Sequence, residues 1–184
     1  MRIRQWVKMS PTGVELNGVL LKTSQTGAAL LTELYRTYVN DYPRFFKMDE
    51  LSKLGFIASE LLLEADKDRH GESDDRAVIL FNRSGSICSD RKYQQTIQDR
   101  NDFFPSPSIF VYTLPNIVTG EIAIRNHYFG ETSFYVLNEY DERAIHDVLA
   151  AVFADGATRS AISGWLDCDD KDHFNAYIYI IEKE

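Results

Sequence analysis

The chain has 184 residues, 44% of them hydrophobic and 12% aromatic, with ten Tyr and eleven Phe, enough to bury one core without staples and too apolar for disorder. Its 20 Lys plus Arg against 28 Asp plus Glu leave a net charge of -8, and a field of that sign repels phosphate backbones, which argues against a nucleic-acid partner. No apolar run approaches the roughly 20 residues of a membrane span, and Met1-Arg-Ile-Arg-Gln-Trp leads into a polar turn rather than a signal core, so a cytoplasmic protein is expected.

In chain order, Arg2 to Val7 alternates as a short first strand, which Ser10-Pro11-Thr12-Gly13 ends with turn chemistry. From about Thr26, residues Leu30, Leu31, Leu34, Tyr35 and Tyr38 fall at helical spacing until Asp41-Tyr42-Pro43. Asp49 can cap a second helix, along which Leu51, Leu54, Ile57, Ala58, Leu61 and Leu62 line one face. Ala77-Val-Ile-Leu-Phe81 is a continuous apolar block, the pattern of a strand buried on both faces.

Ser89 to Asp102 reads as a short exposed helix, and Pro115 to Asn126 as another with Ile117, Gly120, Ile124 and Tyr128 inward. Gly120 is expected to let that helix sit close to a neighbour. Thr132 to Asn138 is a strand with Phe134, Val136 and Leu137 buried. Glu142 to Ala154 is a helix carrying Ile145, Val148, Leu149 and Val152 and ended near Gly156. Strands at Arg159 to Leu166 and Ala176 to Ile181 follow, the last pair open to an antiparallel arrangement. The alternation predicts one α/β domain over residues 1–184, without repeat or linker.

The chemistry-bearing residues are sparse. Asp167, Asp169, Asp170, Asp172 and His173 fail the spacing of a calcium loop, because Lys171 stands where a third oxygen ligand belongs. They read as a solvated loop. Cys88 and Cys168 have no metal spacing, and Cys168 lies among carboxylates that suppress a thiolate. His70, His127, His146 and His173 are scattered. No metal or cofactor is expected.

Pro105-Ser-Pro-Ser-Ile-Phe-Val-Tyr-Thr-Leu-Pro-Asn116, then Gly120-Glu-Ile-Ala-Ile124 and the turn Phe129-Gly130-Glu131, resemble the run that leads β-ketoacyl synthases into their nucleophile strand. Phe46-Lys-Met48-Asp49-Glu-Leu-Ser52-Lys53-Leu54, Arg76-Ala-Val-Ile-Leu, and Ala144-Ile145 through Ala161-Ile-Ser-Gly164-Trp-Leu-Asp167 are similar to further family segments, in the family's order. The resemblance covers the chain from about residue 45 onward. It implies the thiolase-like fold, here one half of it: a mixed, mostly parallel five-stranded sheet with helices on its faces. Ala176-Tyr-Ile-Tyr-Ile-Ile-Glu182 is similar to the strand that closes the first half, and no candidate for the histidine-bearing second half follows.

The family's nucleophilic cysteine follows the glycine of the turn by about nine residues, which falls at Glu139, flanked by Asn138 and Tyr140. None is a thiol. A carboxylate attacks thioesters poorly and would give a labile anhydride, so Glu139 or Asp141 is expected to anchor the next helix as a cap. Tyr128, Phe129, Phe134 and Tyr135 either fill the core or line an acyl tunnel.

The resemblance therefore implies a non-catalytic ketosynthase-like protein, chain-length-factor-like, in fatty-acid or polyketide-type biosynthesis. Its expected partners are a second copy or a full-length ketosynthase, with acyl carrier protein as a further candidate, because a lone half would leave an apolar face uncovered. A residual acyl-thioester-processing enzyme using Glu139 or a nearby carboxylate as general base toward water, and a carrier-protein binding module, are the alternatives.

Overall fold

A computed structural model describes residues 1–66 and 69–183. The chain enters on β1 (Arg2–Ser10), turns through Pro11 and Thr12, and returns antiparallel on β2 (Gly13–Leu16). A second reversal at Asn17-Gly18, with φ of 50° and 87°, sets Leu16 opposite Val19 and forms β3 (Val19–Leu20). That two-residue turn twists in the sense of its flanking strands, and Asn-Gly adopts it at little cost. The hairpin adds two strands to the five expected from the sequence.

Helix α1 (Gly27–Leu34) widens into a π turn over Tyr35–Val39 and stops at Asn40, in left-handed geometry at φ 53°. Helix α2 (Glu50–Leu63) begins where expected: Asp49 accepts the Ser52 amide at 2.9 Å, satisfying a free donor of the first turn. Its burial is wider than the expected stripe, since Gly55, Phe56, Ser59, Glu60 and Leu63 are also covered. A helix buried nearly all round lies in the core.

Strand β4 (Arg76–Asn82) is buried from Ala77 onward, as its unbroken apolar run predicts. The chain continues through α3 (Ile87–Ile97), α4 (Pro107–Val111), α5 (Ile117–Asn126), β5 (Thr132–Val136), α6 (Glu142–Ala154), β6 (Ser160–Asp170) and β7 (His173–Glu182). Helix α6 ends into Gly156 at φ 78°, the expected left-handed stop.

The sheet order is β3-β2-β1-β7-β6-β4-β5. Strand β4 runs parallel to β5 and β6, while β7 is antiparallel to both β6 and β1. Four of the five expected strands therefore point one way and β7 alone opposes them. At Gly164, φ is 141° and a Cβ would lie 2.1 Å from the Tyr177 carbonyl oxygen, so the β6–β7 pair closes only over glycine. Helices α1, α2 and α5 cover one face around Leu54, Ile57, Leu62, Leu80 and Ile162; α6 covers the other around Ile79, Phe81, Ile145, Leu149 and Phe153.

Three expectations on burial need correction. On α5 the inward side chains are Val118, Ile122 and Ala123, whereas Ile124 is exposed and Ile117 half-buried; of the expected set only Tyr128 is buried. A Cβ at Gly120 would meet nothing within 4 Å, and the close approach is made by Gly55 of α2. The inward face is the one that sets Val118 against Gly55 of α2, about one residue round the helix from the face expected. On β5, Phe134 and Leu137 are half-buried and Val136 is exposed, because β5 is an edge strand with a neighbour on one side only. On α6 Val148 is half-buried and Phe153 joins the core.

Candidate functional site

Strands β4, β5 and β6 deliver their C-terminal ends to one rim, where ligand sites of parallel sheets form in the loops. The bend between β5 and α6 lies on this rim. Leu137 still donates to the Asn82 carbonyl at 2.8 Å, and Asn138, Glu139 and Tyr140 then turn out into solvent. The α6 cap is Asp141, whose Oδ1 accepts the amides of Arg143 at 2.9 Å and Ala144 at 3.0 Å. Of the two acids expected to anchor the helix, Asp141 does so. Its carboxylate occupies the amides that would otherwise polarise an incoming carbonyl or phosphate oxygen.

Around the bend, Tyr140 lies edge-on to Trp165 at 5.6 Å. Trp165 Nε1 donates to Asp167 Oδ2 at 2.6 Å, and the other oxygen of Asp167 accepts the Arg83 amide at 2.9 Å. Asn82 closes the neighbouring turn, donating to the Gly85 carbonyl at 2.8 Å and accepting the Gly85 amide at 2.9 Å. These bonds order the rim. The Gly130-Glu131 turn has a steric reason: a Cβ on Gly130 would come within 2.4 Å of the Arg76 carbonyl oxygen, where the chain enters β5 against β4.

Beside the bend, a cavity of about 290 Å³ opens between α6 and the β1–β7 side of the sheet, lined by Ile3, Tyr140, Glu142, His146, Tyr177 and Tyr179 among others. Burial pushes the Tyr179 hydroxyl up to about 12, and burial together with the Glu142 charge raises Tyr140 and Tyr177. These phenols stay neutral at physiological pH.

The other residues singled out in the sequence separate. Asp170 uses both oxygens locally, accepting the amides of Asp172 at 2.7 Å and His173 at 2.9 Å and meeting the His173 ring at 2.7 Å. It shapes the β6–β7 turn. Among the described residues no group of three His, Cys, Asp or Glu is arranged to hold a metal ion. His70 and His127 bond backbone carbonyls near the end of α5, and His146 is exposed on α6. Tyr128 is buried against Arg76, Tyr135 stacks on Phe81 at 5.3 Å, Phe134 packs against the larger core and Phe129 is exposed. Cys88 and Cys168 pack in the core on the α2 side of the sheet, across it from α6. One is on α3 and the other on β6, and the Cys88 sulfur reaches the Asp169 carbonyl at 3.6 Å.

No family model and no curated protein matches this sequence at a significant level. Solved structures do match in shape. The ishigamide ketosynthase/chain length factor superposes with a TM-score of 0.68 at 18% identity, over 98% of this chain and 61% of that one.

The chain has a ketosynthase-type, thiolase-like fold. A ketosynthase in complex with its chain length factor from Xenorhabdus doucetiae gives a TM-score of 0.64 at 13% identity, over 100% of this chain and 79% of that one. A β-ketoacyl synthase from Burkholderia phymatum gives 0.58 at 14%, over 80% and 46% respectively. The chain thus spans only part of each of these proteins, less than two thirds of the first and third. Within this ketosynthase-type fold no helix of the described residues is long and apolar enough to cross a membrane.

Proposed function

We propose that this protein is a non-catalytic, chain-length-factor-like partner of a ketosynthase in fatty-acid or polyketide-type biosynthesis. One observation carries the reading. The strand-to-helix bend bears Asn138, Glu139 and Tyr140 in place of a thiol, and the amides behind it are taken by Asp141. Acyl transfer through a covalent thioester needs a thiolate at such a bend, beside free helix amides. Both chemical requirements are missing together.

A partner role is supported by the open edge of β5. Its Thr-Ser-Phe-Tyr-Val segment carries no charge, ends in the exposed Val136 and is unpaired on its outer side. Native edges of this kind are normally charged, bulged or covered. Next to it, Ser86 Oγ donates to the Thr113 carbonyl at 2.5 Å and so ties the segment bearing exposed Phe110, Val111 and Leu114 to the turn at Gly85, against which Val136 lies. Exposed apolar side chains near an uncharged strand edge suit a protein that extends the sheet. Two of the structural neighbours are described as assemblies of a ketosynthase and a chain length factor, and this chain is read as the partner in such a pair.

Incubation with acyl-carrier-protein thioesters should leave no acyl adduct in the intact mass of the wild-type chain and equal background hydrolysis in wild type and Glu139→Gln. A stable complex should form with a ketosynthase of the same host. An acyl adduct on the chain, or hydrolysis that Glu139→Gln abolishes, would replace this reading with an enzymatic one. Retention of acylated carrier protein without turnover and without a ketosynthase would make it a carrier-binding module.

A further inference from the structure

Tyr177 and Tyr179 stand two residues apart on β7, so both side chains project to the α6 side of the sheet, with ring centroids 5.5 Å apart. Tyr140 joins them from the β5–α6 bend, and the three rings line the cavity of about 290 Å³ between α6 and the β1–β7 side of the sheet. Ile145 and Leu149, buried on the inner side of α6, give it an apolar wall. Glu142, in the first turn of α6, lines the same cavity; its side chain is exposed and pairs with no cation among the described residues. His146, one turn further along α6, meets the Asp147 carboxylate at 3.6 Å.

We propose that this cavity binds a small organic ammonium ion, with its apolar body against Ile145 and Leu149 and its charged nitrogen among the Tyr140, Tyr177 and Tyr179 rings beside Glu142.

The lining selects that charge. An aromatic ring carries negative charge on its faces and attracts a cation placed within about 6 Å of its centroid. At the edge of the same ring cluster the fold already does this with its own side chain: Lys8 Nζ lies 5.1 Å from the Trp6 centroid and 5.4 Å from that of Tyr177. Lys8 itself stands outside the cavity lining. Glu142 supplies the counter-charge. Burial raises all three phenols and the Glu142 charge adds to it, so the rings stay neutral with the carboxylate in electrostatic reach of each.

Other ligand classes fit less well. A carboxylate or phosphate would meet Glu142 and a chain of net charge -8. A wholly apolar ligand would cover the phenol hydroxyls and the Glu142 carboxylate without giving them a partner. An ammonium ion with an apolar body satisfies both halves of the lining. The volume lies at the small end of the roughly 300 to 1,000 Å³ of ligand pockets, which favours a compact ligand.

The experiment titrates the full chain calorimetrically at pH 7 with three probes built on one phenyl body: benzyltrimethylammonium, neutral phenylacetamide and anionic phenylacetate. Benzyltrimethylammonium should saturate one site per chain with a Kd of about 1 mM or tighter. Phenylacetamide should bind at least about tenfold more weakly and phenylacetate should give no saturable heat. Glu142→Gln and Tyr140→Leu, both at exposed positions, should each raise the Kd for the cation by about three- to tenfold with Tm held within a few degrees. Glu131→Gln removes the same charge from an exposed position outside the cavity, and should leave the Kd within about twofold of wild type. Phenylacetamide binding as tightly as the cation, an equal loss in Glu131→Gln and Glu142→Gln, or no saturable heat with benzyltrimethylammonium up to about 20 mM would each overturn the proposal.

Discussion

Gly55 of α2 lies directly against Val118 of α5: a Cβ at Gly55 would stand 2.4 Å from Val118 Cγ2 and 3.0 Å from Leu166 Cδ1. The two helices meet over a missing side chain, in the layer beneath the sheet. Gly55→Ala should therefore destabilise the protein by about 1 to 3 kcal/mol through overpacking, although alanine is the better helix former. Urea denaturation checks it. Gly55→Ala combined with Val118→Ala should recover part of the loss, because the pair shares one contact.

The two acids of the bend should behave oppositely. Asp141→Ala removes an acceptor of two helix amides and is expected to cost about 0.5 to 2 kcal/mol. Glu139→Ala, on an exposed turn, should stay within about 0.5 kcal/mol of wild type. Thermal melts of the two variants side by side decide which acid holds α6.

Glu60 is almost wholly buried, bound by Arg69 and also within 3.4 Å of Arg125, which in turn pairs with Asp41 at 2.6 Å. Glu60→Ala removes the one carboxylate that Arg69 and Arg125 share, in the layer between α2 and α5, and leaves Arg125 with Asp41. The loss should reach about 3 to 5 kcal/mol, far beyond that of a surface ion pair. A fall in the urea midpoint no larger than that of an exposed pair, such as Arg4→Ala at Glu182, would contradict the network.

Glu50 and Lys92 meet at 2.7 Å across α2 and α3. Burial works to raise the Glu50 carboxyl, but the Lys92 hydrogen bond and charge and the amides at the start of α2 bring it below its ordinary 4.5. Since its folded pKa is depressed, its contribution is present above the ordinary carboxylate range and is lost as pH falls through the folded value. For Lys92, burial is outweighed by Glu50, which holds it above its ordinary 10.5, so its share is lost only as pH rises through that higher value. Lys92→Met should lower stability at pH 7 and flatten the acid limb of a stability profile taken below about pH 5.

If β5 is the partner-binding edge, Val136→Lys should raise the Kd for the partner ketosynthase at least about tenfold while leaving Tm within a few degrees. Val136 is exposed in the free chain, so a charge there meets no core.

Local rules carried far in this protein. The Asp49 cap, the stop at Gly156, the buried run of β4 and the periodicity of α6 are each settled by neighbours in sequence, so they were legible before any contact was known. The Asn17-Gly18 hairpin is equally local, a two-residue turn whose positive φ angles suit Asn-Gly. At the bend, too, the residues available for chemistry were plain from the order of amino acids, and the structure adds that Asp141, rather than Glu139, is the cap.

Other features depended on what lies beside each element across the sheet. Whether Val136 is buried depends on β5 being an edge, and whether α5 packs on Gly120 or against Gly55 depends on how it rotates over α2. The meeting of Cys88 with the Asp169 carbonyl, and of Glu60 with Arg69 and Arg125, arises only when the chain closes long loops. Periodicity and capping report free energies gained within one or two turns of chain. Burial and the pairing of charges are gained between residues far apart, and only the closed sheet with its two helical layers brings them within reach.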